Sequence, residues 1–211
     1  VIFLVASYLF YMAWNPPFVL LLMGSTVLDY SVARWMERLE NPLHRRLLVV
    51  VSCVGNLGVL AFFKYGNFLI TSAYTVLPGE PPFKDFFASL VLPMGISFYT
   101  FQSMSYTIDV YRGHCPAEKS LLDFALYVTF FPQLVSGPIT RAEMFMPQIK
   151  PKYFADISFV EAAKWILTGF FFNLYVANNL NEMTSHMDYP LYETLQTQDR
   201  WLLVFLYSYQ I

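Results

Sequence analysis

Leu92 to Arg112 reads LPMGISFYTFQSMSYTIDVYR, an apolar stretch of membrane-crossing length with a Pro93-Met94-Gly95 break near its start. Inside it lies a ladder of Ser97, Tyr99, Thr100, Gln102, Ser103, Ser105, Tyr106, Thr107 and Asp109. A span that only anchors would be Leu, Ile and Val throughout. Polar groups are costly in hydrocarbon unless they pair or face water, so a ladder of them predicts an interior wall or a pathway. Downstream, FFPQLVSGPITR (Phe130 to Arg141) is a second apolar segment, broken by Pro132, Gly137 and Pro138 and closed by a positive charge.

Composition points the same way. The 211 residues are 56% hydrophobic, 19% aromatic and 13% charged, against about 25% charged in a soluble domain. The expected fold class is an all-α, polytopic transmembrane helix bundle forming a single domain over 1–211, with a broken or re-entrant segment near 131–140. A net charge of -2 with no basic stripe gives a nucleic acid no footprint. Val1 and Ile211 both fall inside apolar runs, so the chain reads as an internal piece of a longer protein, truncated at both ends. Cys53 and Cys115 read as unrelated thiols, with no His or Glu at nucleophile spacing.

Working outward, an apolar helix over Val1–Ala13 should stop at Trp14-Asn15-Pro16-Pro17, because Pro-Pro cannot continue it. Phe18 to about Ala33 is the next helix, with Asp29 near its end. Arg34, Arg38, Arg45 and Arg46 then read as a short charged loop. Leu47–Phe63 is uncharged and span-length; Lys64-Tyr65-Gly66-Asn67 either interrupts it or lies within one long helix that runs on to Leu77. Pro78-Gly79-Glu80-Pro81-Pro82 is a firm stop. Phe86–Ile108 follows, kinked or divided at Pro93 and Gly95. Leu121–Ile139 should be broken, 141–158 polar, Phe159–Leu180 helical, 181–200 a polar loop, and Trp201 the start of a last helix. The loops around 34–46, 112–119 and 141–152 hold nine Lys or Arg, whereas 78–85 and 181–200 hold Lys84 and Arg200, so the first set is expected to be cytoplasmic.

Gln102, Tyr106 and Asp109 fall at spacings of four and three, and Tyr99 precedes Gln102 by three, so the four share a helix face. That face reads either as the wall of a substrate tunnel or as a seam bonded to neighbouring helices. Asp109 has Arg112 as its expected local partner. In the broken segment, Pro132, Gln133, Gly137, Pro138 and Arg141 form the second candidate set: Gln133 could bond backbone freed by the break, and Arg141 an anion or a loop carbonyl. His44, His114 and His186 all lie outside apolar spans, where no burial would tune them as bases. No metal-binding or phosphate-loop pattern is present.

LPMGISFYTFQSMSYTIDVYRG (92–113), SLLDFALYVTFFPQLVSGPITR (120–141), FFKYGNF (62–68) and YSYQI (207–211) together resemble the membrane-bound O-acyltransferase family, in its bacterial alginate O-acetyltransferase branch. The resemblance implies a helix bundle around a funnel through a bacterial inner membrane, multi-pass, with the lipid bilayer as its solvent. It implies acyl transfer, acetyl in this branch, from a cytoplasmic thioester (acetyl-CoA or a carrier-protein thioester) to a hydroxyl of an exported polysaccharide such as alginate. No bound cofactor is implied; a separate periplasmic acyltransferase partner is. It also implies that the family's catalytic histidine lies beyond Ile211, which leaves His44, His114 and His186 without that role. One departure is that the branch's pattern places Lys near Phe171, Phe172 and Asn173, which leaves room for a glycan other than alginate. Two rival readings of the residues are a transporter or channel, which would also break helices and line them with polar groups, and an inactive scaffold of the same fold.

Overall fold

The computed structural model describes residues 1–76, 86, 89–135, 137–149, 153–187 and 191–210. The expected Pro-Gly stop at 78–82, Lys84, Lys150, Lys152 and Ile211 lie outside them. Among the described residues every regular element is helical. The chain packs as two units, Val1–Lys150 and Pro151–Ile211.

In the first unit, α1 (Ile2–Trp14) ends at Asn15, whose extended backbone is dictated by the Pro16 that follows. The next helix, α2 (Phe18–Arg38), runs past the expected end at Ala33. Arg34 and Glu37 pair across one turn at 2.8 Å, and residues 34–38 are all able helix formers. Asn41 then caps α3 (Pro42–Leu60), its side chain accepting the Leu43 N–H with Pro42 in the first turn. The charged "loop" is therefore a correction: Arg34 and Arg38 sit on the last turns of α2, and Arg45 and Arg46 on the first turns of α3.

Of the two forms expected for 47–77, the continuous one is found. From α3 the chain passes through a π-helical turn, Ala61–Tyr65, into α4 (Gly66–Val76) without leaving the helix. Lys64, inside that turn, lies 5.6 Å from the Tyr65 ring centroid. Within this element Pro42–Tyr74 is 33 residues long with mean hydropathy 2.1 in its most apolar window, and only 17% of that window is buried. Among the described residues it is the one helix both long and apolar enough to cross a membrane.

Residues 90–95 are not helical, and α5 (Ile96–Arg112) begins only after Gly95, so Pro93 and Gly95 divide the segment rather than kink it. The helix overruns the expected end at Ile108 by one turn and closes on Gly113, which takes positive φ. Ser120 caps α6 (Leu121–Thr129) by accepting the Asp123 N–H. The break expected after it is present: the chain leaves the helix at Phe130, makes one turn, α7 (Phe131–Leu134), and is non-helical from Gly137 to Arg141 before α8 (Ala142–Phe145).

α5 packs against both α2 and α3, while α1 and α6 pack on α2. The centre is aromatic and aliphatic: Tyr11, Leu22, Met36, Ile96, Tyr99, Tyr106, Phe124 and Tyr127 are all sealed from solvent. The outside is apolar too, with Leu20 71% and Val54 66% exposed, while Asp29, Ser52, Asn56, Gln102 and Ser103 are buried. A protein built for water puts such residues the other way round.

In the second unit Ser158 caps α9 (Phe159–Phe170). A π-helical stretch, Phe171–Ala177, carries it into α10 (Asn178–Thr184). Short α11 (Leu191–Thr194) precedes α12 (Thr197–Gln210), which packs on α10. Gln210 ties that pair, accepting from the Thr184 hydroxyl and donating to Asn181 Oδ1 at 2.9 Å. Phe171, Phe172 and Asn173, near which the resemblance led to an expectation of Lys, occupy the start of the π-helical stretch, with Phe171 stacked on Tyr175 at 5.4 Å.

Candidate functional site

Six residues of the polar ladder form an interior seam, while Ser97, Ser105 and Asp109 are partly exposed. Tyr99, Thr100, Gln102, Ser103, Tyr106 and Thr107 are all buried on α5, as a face of a 3.6-residue repeat requires. Gln102 donates from Nε2 to the Tyr127 carbonyl at 2.7 Å. Tyr127 in turn donates its hydroxyl to the Thr140 carbonyl at 2.8 Å, and Thr140 Oγ1 donates to Gln133 Oε1 at 3.2 Å. Gln102 on α5 and Gln133 in the break are thus ends of one relay, although 31 positions separate them. Tyr106 accepts the Glu118 N–H at 2.8 Å and lays its ring 4.5 Å from that of Phe124. Tyr99 faces Tyr11 edge-on at 6.5 Å, and among the described residues the two buried phenols have no other hydrogen-bonding group beside them.

Asp109 stands apart from the other three. It lies at the partly exposed end of the face, and its carboxylate approaches His114 Nδ1 at 3.4 Å; no ion pair with Arg112 forms. Arg112 is already exposed at the last turn of α5, whereas Gly113 turns the chain so that His114 folds back over Asp109. That replaces the expected Asp109–Arg112 pair.

At the break, backbone freed by proline is satisfied by its neighbours, as membrane depth would demand. The Phe131 N–H donates to Ser7 Oγ on α1 at 3.2 Å. Gln133 and Gly137 N–H groups donate to the Phe130 and Gln133 carbonyls. Pro132 and Pro138 are exposed. Gly137 has no room for a side chain, because a Cβ there would meet Gln133. Arg141 is exposed at the start of α8, and no described residue bonds its guanidinium.

The best-built polar node was not among the expected residues. Asp29 on α2 is fully buried. Its carboxylate accepts from Ser52 Oγ and from Asn56 Nδ2 on α3, the latter at 3.0 and 2.8 Å, and from Thr107 Oγ1 on α5 at 3.4 Å. Three helices are therefore joined at one carboxylate whose described partners are all neutral. The signal was present in the sequence: one acid inside an apolar helix is a functional or structural position by default. The node also adds an intramembrane-type carboxylate to a chain whose apolar segments looked nearly free of charge.

α5 carries both networks, the Asp29 node toward α2 and α3 and the Gln102 relay toward α6 and the break. Replacing Gln102 by Leu removes the donor to a buried carbonyl and costs about 1–2 kcal/mol. The Gln102→Leu protein should still insert, yet lose rigidity at 127–140, read as faster proteolysis or hydrogen exchange there. Unchanged protection over 127–140 would mean the relay does not hold the break.

His44, His114 and His186 are all exposed. Among the described residues no cluster of His, Cys, Asp and Glu is arranged to hold a metal.

Over 99% of its length the chain aligns at 35% identity with the "Probable alginate O-acetylase AlgI" of Pseudomonas aeruginosa, covering 40% of that protein. The protein of the same name from Pseudomonas putida is also 35% identical over 99% of the chain, covering 43% of that relative. A "Peptidoglycan O-acetyltransferase" of Helicobacter pylori is 28% identical over 98% of the chain and is covered to 43%. The chain thus spans about two fifths of the length of the curated relatives it matches. No family model matches, and no solved structure matches.

Proposed function

Because the chain belongs to the AlgI-like group of membrane-bound O-acyltransferases, we propose that it forms part of an enzyme that moves acetyl groups onto hydroxyls of an exported polysaccharide. The observation that carries this reading is the end-to-end similarity to proteins named for acetylating two different glycans, alginate and peptidoglycan. What those two names share is O-acetylation of an extracytoplasmic polymer; the acceptor of this protein is left to experiment.

The chemistry asks little of the donor and more of the route. A thioester needs no strong activation, since a thiolate leaves readily, while the acceptor hydroxyl needs a base poised near neutral pKa. His44, His114 and His186 are exposed and lie outside the buried seam, so the seam residues supply architecture. In this reading α1 to α7 form part of a multi-pass bundle in a bacterial inner membrane, with the α2–α3 turn and the 113–119 loop on the cytoplasmic side beside the acyl donor. Tyr99, Gln102, Tyr106 and the broken segment with Pro132, Gln133, Gly137 and Pro138 wall the path, holding its shape rather than moving its proton; Asp109 and Arg141 stand at its exposed ends. A periplasmic acyltransferase partner would receive the acetyl group on the far side.

The deciding experiment incubates membranes carrying the full-length protein with acetyl-labelled thioester donor and candidate polymers, alginate and peptidoglycan among them. Transfer of label to polymer that depends on the protein supports the reading. Label that stays on the donor, with an intact and correctly inserted protein, overturns it. Topology is checked separately with Cys placed at Arg45 or Arg46: an impermeant maleimide should label either site only after the membrane is opened. Labelling in intact cells would reverse the orientation.

A further inference from the structure

We propose that the cavity between the α2–α3 turn and the 113–117 loop is a binding site for a phosphoryl group, with Arg45 as its principal contact. The cavity is about 410 Å³ and is lined by Glu37, Arg45, Val110, Gly113, Cys115 and Ala117. That volume takes a phosphate together with part of whatever carries it.

Three observations on Arg45 point to an anion. Among the described residues its Nε is buried without a hydrogen-bond partner, and the rest of the guanidinium has Tyr111 alone, the carbonyl accepting from Nη2 at 3.3 Å and the ring 5.9 Å from Cζ. No carboxylate among the described residues pairs with it; Glu37, the acid in the lining, is held by Arg34 at 2.8 Å. And Arg45 sits in the opening turns of α3, a 19-residue helix whose positive end disfavours a cation. A guanidinium placed there, with an orphaned N–H beside a cavity, gains from a bound oxyanion what the fold alone does not give it. Phosphoryl oxygens suit it because the guanidinium presents paired N–H groups, and helix N-termini receive the same ligand.

A second cavity of about 340 Å³ adjoins across Cys115 and Pro116, lined by Tyr106, His114, Glu118, Ala142, Glu143 and Met146 among others, so its two acids suit an uncharged arm of a ligand and not a second phosphoryl group. A ligand longer than phosphate could run from Arg45 past Cys115 into it. A phosphorylated thioester donor has that form, and assigning it here rests on the acetyl-transfer reading; the anion chemistry does not. A lipid headgroup or free phosphate would use the same contact.

Cys115 is a built-in reporter. It is half-buried between the two cavities, and burial pushes its thiol up to about 11. Its thiolate is therefore scarce at neutral pH and rises with pH toward that value. The experiment follows alkylation of Cys115 by iodoacetamide at pH 9 in the full-length protein, by mass spectrometry of its peptide. S-methyl-coenzyme A, whose capped thiol cannot consume iodoacetamide, inorganic phosphate and phosphatidylglycerol vesicles are the three probes. At least one should slow alkylation about fivefold or more, and Arg45→Gln should raise its half-protecting concentration roughly 10–100-fold. Arg45→Lys should retain part of the effect, and Arg38→Gln, outside the lining, none of the loss. Protection by S-methyl-coenzyme A far below the phosphate concentration assigns the donor; equal protection by phosphate assigns the free anion; protection by vesicles alone assigns a headgroup. Absence of protection by all three probes overturns the site, as does an unshifted Arg45→Gln curve in protein that elutes and melts like the parent. Protection without acetyl transfer would sink the functional reading and leave the site standing.

Discussion

Replacing Asp29 by Leu should lower the stability of the protein in detergent by about 2–4 kcal/mol, the largest expected loss from any single polar residue in the first unit. Each hydrogen bond across helices in a membrane protein contributes ~0.6 kcal/mol on average and up to ~1.7. Asp29 accepts from three residues on two other helices, Ser52, Asn56 and Thr107. Part of the loss is recovered locally: Asn56 Nδ2 already reaches the Ser52 carbonyl at 3.0 Å, and Thr107 Oγ1 the Ser103 carbonyl at 3.3 Å. The full sum is therefore not expected. Asp29→Asn should fall between, because one of its two oxygens becomes a donor facing donors. Ser52→Ala should cost about 0.5–1.5 kcal/mol. The measurement is a denaturant or thermal midpoint of the purified protein, with far-UV dichroism to show that helix content is kept. An Asp29→Leu midpoint within error of the parent would mean the three helices are positioned by packing alone.

How legible these features were in the sequence depended on their range. The break at Phe130–Arg141 could be read directly, because Pro132, Gly137 and Pro138 act on their own backbone and need no partner. The division at Gly95 was legible for the same reason. The buried face of α5 followed from spacing, since Tyr99, Gln102 and Tyr106 must share a side of any helix. Where those groups point was not legible: the Gln102 amide meets a carbonyl 25 positions away, and the Asp29 node joins residues up to 78 positions apart. Nothing local marks such a partner. Asp29 alone looked like an acid near a helix end, and only the docking of α3 and α5 onto α2 makes it a centre. Charge misled in the opposite direction at 34–46, where a run of Arg and Glu suggested a loop. Those residues favour helix well enough to extend α2 to Arg38 and to start α3 at Pro42, leaving a turn of a few residues.

The second large effect is expected at Gly95, where Ala should cost about 3 kcal/mol or more and detach the broken segment from α5. Two penalties combine there. Gly95 has φ +70°, in the left-handed region, where a side chain costs about 1–2 kcal/mol. A Cβ at this position would also collide with the Leu134 carbonyl oxygen and crowd its carbonyl carbon. Both neighbours are backbone, so relief requires α7 to move as a piece, and overpacking of this kind adds about 1–3 kcal/mol. Gly113 provides the control. It shares the same backbone region at φ +75°, but a Cβ there meets nothing within 4 Å. Gly113→Ala should therefore show the conformational penalty alone, about 1–2 kcal/mol. If the two glycines respond equally, the approach of residue 95 to Leu134 is soft and the break is held by other contacts, such as the Phe131 N–H on Ser7. If Gly95→Ala is far worse, and limited proteolysis then opens 130–140 while leaving α5 intact, the junction of the two broken segments is the rigid point of the bundle. Gln133 sits one residue from that junction, so the relay through Thr140 and Tyr127 to Gln102 should fail with it. Acetyl transfer would then fall together with protection of 130–140 in Gly95→Ala and survive in Gly113→Ala.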